Sequence, residues 1–349
     1  MSLKKLKVGI IGLGEQTKAN LLPTLYLNKY IKITAICDID VNALTEVANS
    51  YEIAESNRYT IYKEMIDLED LDVVVVSSFP KVHFKVAKYA IERKLAVFVE
   101  KPPVSNINEL YELIELTKRY GVKTGVGMNF SYTDCHETIM DIINQESFGA
   151  LSFISVEHIS SKPTAPLWHL DSTLESFLLA QLIHPLDYIL TLGGTYHALH
   201  VHCSRHHNPL IVQIMIDFDN GMIGCLKSGS FYPRFKHMVE IISDNGSIVK
   251  VNDLSTIEVT TKDAATPFKL KSKHCSTIYT PSPLKSGYSK AGYQTELNKF
   301  FEHLLLGNPF HHSIEDLLPV YNALDEIKKY VEKRRELFIP SLVISEVSN

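Results

Sequence analysis

The chain has 349 residues, beyond the ~250–300 at which a single hydrophobic core stops growing, so two domains are expected. Its residues are 45% hydrophobic and 21% charged, which excludes a disordered chain. The net charge of −5 comes from 40 acids against 35 bases with no long basic run, which argues against a nucleic-acid partner and points to a small-molecule ligand.

No stretch reaches the ~20 continuous apolar residues of a membrane-spanning helix, and the short apolar run after the first lysines lacks a signal-peptide cleavage pattern. No membrane association is expected. Cys37, Cys135, Cys203, Cys225 and Cys275 are scattered singly with no Cys-x-x-Cys pair. That suits reduced thiols and a cytoplasmic location.

From Leu6 to about Val126, short β-branched runs alternate with longer amphipathic segments. Strands are predicted at Leu6–Ile11, Ile31–Cys37, Asp72–Ser77, Ala96–Val99 and Lys123–Val126. They are nearly continuous apolar runs, as parallel strands buried on both faces require. Helices are predicted at Gln16–Leu27, Val41–Ser50, Val82–Arg93 and Ile107–Tyr120, the last capped by Ser105 or Asn106 and ended by Gly121. Alternating strands and helices imply a doubly wound, parallel α/β domain.

After about Gly149 the texture changes. Strands are predicted at Leu151–Ile159, His197–Cys203, Leu210–Phe218, Met222–Ser230, Lys236–Ser243, Ser247–Val251 and Thr256–Thr260. Asp219-Asn220-Gly221 and Asp244-Asn245-Gly246 between them favour hairpins. This half reads as α+β with an open, mainly antiparallel sheet. Lys271–Lys290 reads as a long loop, and helices at Tyr293–Leu306 and Ser313–Arg335 close the chain, with Pro309 between them. The domains are expected at 1–128 and 129–349.

Gly12-Leu13-Gly14 follows the first strand and precedes a helix. A turn without Cβ atoms lets a pyrophosphate approach the backbone N–H groups at a helix start, where the dipole favours anions. The third position of that fingerprint falls on Thr17. The next strand ends in Asp38, which can accept hydrogen bonds from adenine-ribose hydroxyls and would repel a 2′-phosphate, so NAD is favoured over NADP. A structural alternative is that Asp38 caps the following helix, a role Asp40 could take. At the carboxyl end of the fourth strand stands Glu100-Lys101-Pro102-Pro103, on the edge of the sheet where ligands bind. The prolines stiffen the segment and hold Lys101 at the crevice as a positioned acid or hydrogen-bond donor.

On these motifs the chain resembles the Gfo/Idh/MocA oxidoreductases, the glucose–fructose oxidoreductase and inositol dehydrogenase types. The resemblance spans essentially the whole chain. It also includes Ala-Ile-Cys-Asp (35–38), the 71–83 segment, Gly-Val-Gly-Met-Asn (125–129), Ile-His-Pro-Leu-Asp (183–187), Asn-Gly-Ser (245–247) and Tyr-Gln-Thr-Glu-Leu-Asn-Lys-Phe (293–300). It implies a Rossmann domain followed by an open antiparallel sheet, with the active site between them, acting on a sugar, cyclitol or related carbonyl. By the resemblance Lys101 hydrogen-bonds the reacting oxygen beside the nicotinamide, and His184 moves the proton. Ser78, Pro80 and His83 match a loop lining the cofactor, with Glu100 at its edge, and Asn129 faces the same cleft. It further implies a homodimer or homotetramer formed through the open sheet face.

The chain also departs from the family. The Asp common four residues before the His is Ala180, the glycine-rich stretch upstream is Leu174-Glu175-Ser176, and the Arg that often follows Trp168 is His169. Trp168, His169 and Gln181 are substrate-side candidates, with Gln181 or Asp171 as a stand-in for the missing carboxylate. Ser172-Thr173-Leu174-Glu175 reads as a capping box. These departures leave room for a non-catalytic NAD sensor or an NAD-assisted eliminase or glycosidase. His197, His200, His202, His206 and His207 lack a recognised ligand spacing, and no metal site is expected. His311-His312 read as surface residues, and the basic run at 328–335 as a solvated helix face.

Overall fold

A computed structural model describes residues 5–204, 210–261, 275–282, 285 and 287–336. The first half comprises β1 (Leu6–Ile11), α1 (Leu22–Leu27), β2 (Ile31–Cys37), α2 (Val41–Ser50), β3 (Arg58–Tyr59), α3 (Tyr62–Leu68), β4 (Val73–Val76), α4 (Pro80–Glu92), β5 (Ala96–Glu100), α5 (Ile107–Tyr120), β6 (Thr124–Gly127) and α6 (Asp134–Ile143). Six parallel strands lie in the order β3-β2-β1-β4-β5-β6. The order in which strands are added reverses between β1 and β4, which opens a crevice at the carboxyl ends of both. Val73–Val76 are fully buried, as the unbroken apolar run requires. The short β3 and the helices α3 and α6 are additions to the expected elements.

The second half holds β7 (Leu151–Ile159), α7 (Thr173–Phe177), α8 (Ile183–Gly193), β8 (Tyr196–Cys203), β9 (Ile211–Phe218), β10 (Ile223–Gly229), β11 (Lys236–Ser243), β12 (Ile248–Asn252), β13 (Thr256–Thr261), β14 (Cys275–Tyr279), α9 (Gly287–Lys290), α10 (Tyr293–Leu306) and α11 (Leu318–Glu336). Eight strands form one open sheet, β14-β13-β12-β11-β7-β10-β9-β8. Among the described residues only β7 and β10 pair in parallel in this sheet; the other pairs are antiparallel. One face of β7, β9 and β11 alternates buried against half-buried residues, and α8 packs on the buried side. α10 lies on the parallel sheet, with Phe300 against Phe98.

Three expectations are corrected. Residues 271–290 are not wholly loop: Cys275–Tyr279 is a β-forming run that pairs as an edge strand with β13, and α9 follows. Residues 271–274, 283, 284 and 286 lie outside the described residues, as do His206 and His207. His312 is buried at 3% exposure, because its ring lies between the Asp187 carboxylate (3.1 Å) and the Tyr132 hydroxyl (2.8 Å). Finally, the first helix is not uniformly α-helical: Thr17–Leu21 is a π-type turn ahead of α1. A second π-type turn, Leu178–Leu182, joins α7 to α8. Each sits just before a proline, Pro23 or Pro185, whose ring would strike the carbonyl four residues back and which has no N–H to give; widening the turn relieves the clash.

Candidate active site

The turn after β1 is built around Gly12, whose φ of +87° suits glycine. A Cβ there would stand 2.0 Å from the Ser77 carbonyl oxygen, so the turn packs directly on the β4 end. Gly14 differs: a Cβ on it would meet nothing within 4 Å. The bond from Lys18 N–H to the Gly14 carbonyl, 3.0 Å, is the first of the helix, so the amides from Gly14 to Thr17 have no intrahelical acceptor. This open, N–H-lined cradle fits a pyrophosphate. Leu13 contributes backbone alone; its side chain is buried and its N–H donates to Asp38 Oδ2 at 2.6 Å. Asp38 Oδ1 accepts from the Asp40 N–H, while Asp40 itself caps α2. Asp38 therefore stands at the crevice without capping a helix.

Ser78 and Lys101 open on one cleft of about 450 Å³ at the carboxyl ends of the parallel strands. Pro80 is buried as the first residue of α4. His83 is fully buried, and both ring nitrogens are taken: Nε2 accepts from the Ser78 N–H (2.6 Å), so Nδ1 carries the proton donated to the Pro102 carbonyl (2.8 Å). It braces the Ser78 loop against the Lys101 segment, and burial pushes its pKa down to about 4.

Glu100 is buried beside the cleft, its pKa raised by burial, and it accepts from Gln16 Nε2 (3.3 Å) and the Lys101 N–H (3.2 Å). Gly127 pairs with it across β5 and β6, and a Cβ there would press on the carboxyl at 3.1 Å. Burial lowers the Lys101 pKa from its ordinary value, against the pull of Glu100. Its Nζ donates to the Ala180 carbonyl at 3.2 Å. Ala180 lies in the second π-type turn, where the residue five further on is Pro185, with no N–H to offer. The partner of the Lys101 ammonium at this position is thus a main-chain oxygen.

His184, the second residue of α8, is 7% exposed and lines the same cleft. Its ring stacks on Phe130 at 4.6 Å and 22°. Burial first, then Lys101, holds its pKa well below the ordinary histidine value. Its Nδ1 is buried without a hydrogen-bond partner. Asn129 lines the cleft with its amide N–H donated to the Ala291 carbonyl (2.7 Å). Gln181 also lines it, but its amide is occupied by the Gly229 carbonyl, Ser228 and Ser160. Trp168 closes one side. His169 stands exposed outside the wall, edge-on to Phe79, and both it and Trp168 have left-handed backbone (φ 57° and 54°). Asp171 is exposed, its N–H donated to Glu175, and Ser172 caps Glu175 in return, so the capping box holds. His197 and His200 pair with Asp219 and Asp217 on the exposed sheet face.

Several cleft residues escaped the sequence reading: Phe130, His158, Phe235 and Tyr293. His158 carried a signal, since it ends a row of inward residues (Ile154, Val156) that the alternation makes apolar.

A doubly wound sheet with an anion cradle, joined to a large open sheet across a cleft holding Lys and His, defines a nucleotide-dependent oxidoreductase architecture. The Gfo/Idh/MocA model, an oxidoreductase family with an NAD-binding Rossmann fold, matches residues 6–128. A dehydrogenase from Chromobacterium violaceum is 34% identical and superposes with a TM-score of 0.91, covering 96% of this chain and 98% of that one. The chain belongs to this family. The uncharacterized oxidoreductase YrbE of Bacillus subtilis is 25% identical over 74% of this chain and 78% of its own. A levoglucosan dehydrogenase crystallised with NADH and L-sorbose shares the fold, with a TM-score of 0.81 and 18% identity over 95% of this chain and 98% of that one.

Proposed function

We propose that this chain is an NAD-dependent oxidoreductase moving a hydride between nicotinamide and a sugar, polyol or related carbonyl compound. The observation that carries the reading is the shared cleft: Lys101, anchored on the Ala180 carbonyl, and His184, held against Phe130, face one cavity at the carboxyl ends of the parallel strands. Bound dinucleotide supplies the hydride acceptor or donor. Residues 1–128 bind it, with Gly12, Leu13 and Gly14 at the pyrophosphate and Asp38 at the adenine ribose, which favours NAD over NADP. Lys101 donates a hydrogen bond to the reacting oxygen. His184, unprotonated at neutral pH, takes the proton of an alcohol as it is oxidised. Residues 129–349 hold the substrate, near Asn129 and Trp168, and pair copies of the chain in the cytoplasm through the open sheet face. The levoglucosan dehydrogenase, by name a sugar enzyme holding NADH, supports the substrate class.

A panel of sugars and cyclitols assayed for NADH formation tests this. NADH bound tightly with no turnover on any member counts against it. A second reading, an NAD-sensing regulator, draws on the unpartnered Nδ1 of His184 and the absent carboxylate at Ala180. Turnover in the parent that disappears in Lys101→Ala eliminates it.

A further inference from the structure

We infer that the substrate is an acid: the reacting carbon belongs to a molecule whose carboxylate is received by the Lys162 ammonium and by an N–H of His158 that His237 holds in its direction. This rests on the oxidoreductase reading above and specifies its substrate.

Hydroxyl groups of a neutral sugar need acceptors as well as donors. The cleft is short of anionic acceptors. Its one carboxylate, Glu100, is turned to Gln16 and to the Lys101 amide, and the Gln181 carbonyl oxygen is occupied by Ser160. Donors abound: Lys101, Lys162, the Trp168 indole and His158 all line it. Among the described residues Lys162 forms no ion pair. Two ammonium groups facing one inward-turned carboxylate complement an anion.

His158 is the residue that gives this direction. It sits at the end of β7, level with Ser228 on β10 and His237 on β11, so three polar side chains cross the buried face at one register. His158 Nδ1 and His237 Nδ1 are 3.1 Å apart, and one must donate. His237 is fully buried and its Nε2 has no partner. Were His158 the donor, His237 would bury an orphan N–H at Nε2; with His237 donating, only a lone pair is left, the more readily tolerated of the two. His237 Nδ1–H therefore donates, and the His158 proton resides on Nε2, at the cleft.

The test uses the full chain. NADH binding is measured first by fluorescence. NAD reduction is then followed with pairs alike in carbon skeleton and unlike in charge: galacturonate and galactose, glucuronate and glucose, gluconate and sorbitol. Thermal shift of the NADH-loaded protein with each compound gives an answer independent of turnover. The acid of at least one pair is expected to be favoured ~10-fold or more, and His158→Leu to raise its KM ~10–100-fold with kcat little changed. His158→Gln, which keeps an N–H donor, should restore most of that loss, and Lys162→Met should erode the preference for the acid. Preference for every neutral partner, no acid-dependent shift, or an equal loss for both members of a pair in His158→Leu overturns the inference while leaving the oxidoreductase reading intact. Failure to bind NADH removes that reading, and the inference with it.

Discussion

The two glycines of the first turn make opposite demands, and substituting each separates folding from cofactor binding. At Gly12 an added methyl meets the Ser77 carbonyl oxygen at 2.0 Å with φ at +87°. The left-handed backbone alone costs ~1–2 kcal/mol for a residue with a Cβ, and the overlap is with main chain in the middle of a parallel sheet, which cannot swing aside. Gly12→Ala should lose on the order of 3–5 kcal/mol. At Gly14 the same methyl enters open space, and the backbone is not left-handed. The loss there is confined to a less favourable residue at the helix start, under ~1 kcal/mol. No neighbour among the described residues requires glycine at that position, which leaves the space over it open to a ligand. Gly14→Ala, and more so Gly14→Val, should melt within a few degrees of the parent yet bind NADH ~10–100-fold more weakly, because the added carbons stand where phosphate oxygens would meet the amides. Thermal melts and NADH fluorescence titration read the two quantities on one sample. A folded Gly14→Val that binds NADH as the parent does would refute the placement of the pyrophosphate over this turn.

Four further outcomes follow from the site and its supports. Lys101→Met should cut kcat/KM by ~10²–10⁴ without lowering the melting temperature, since it removes a charge whose burial is unfavourable; NADH oxidation and a melt check both. His83 and His237, each with a folded pKa near 4, and His136, near 3, stay neutral where the unfolded chain takes up protons. Stability should therefore be full above the unfolded value of about 6.5 and fall as pH drops towards 4, by ~1.4 kcal/mol per pH unit per group at most; urea titrations giving equal stability at pH 7.5 and 5 would contradict it. Asp187→Ala strips His312 and Ser131 of a buried acceptor and should cost ~2–3 kcal/mol, read from the shift in urea midpoint. Light scattering should return a multiple of the 39.4 kDa chain mass, and a monomer would refute assembly through the open sheet.

The fold was legible where burial is two-sided. Val73–Val76 could only be a central strand, and Ala96–Glu100 carries its motif to the sheet edge because the apolar run ends there. The two-residue β3 and the short α3 have too few residues to show a period, so they were missed. Partnerships across the chain were harder. His312 reads as polar surface beside Pro309 because nothing local announces Asp187, 125 residues away. The pairing of His158 with His237 spans 79 residues, though each interrupts an inward apolar row and so left a trace.

Ala180 shows a different limit. A search for a substitute carboxylate looks among side chains, and reaches Gln181 and Asp171. The first is consumed by β10 and Ser160, and the second lies on the surface. What meets Lys101 is the carbonyl of residue 180 itself, in a turn widened ahead of Pro185. Every residue type has that oxygen, so no reading of side-chain identity could assign it. The proline, conspicuous within Ile-His-Pro-Leu-Asp as a family signature, carries the physical cause: it withholds an N–H from the helix, and the ammonium takes up the acceptor. Lys101 is therefore held by a main-chain oxygen that Pro185 leaves without a helical donor.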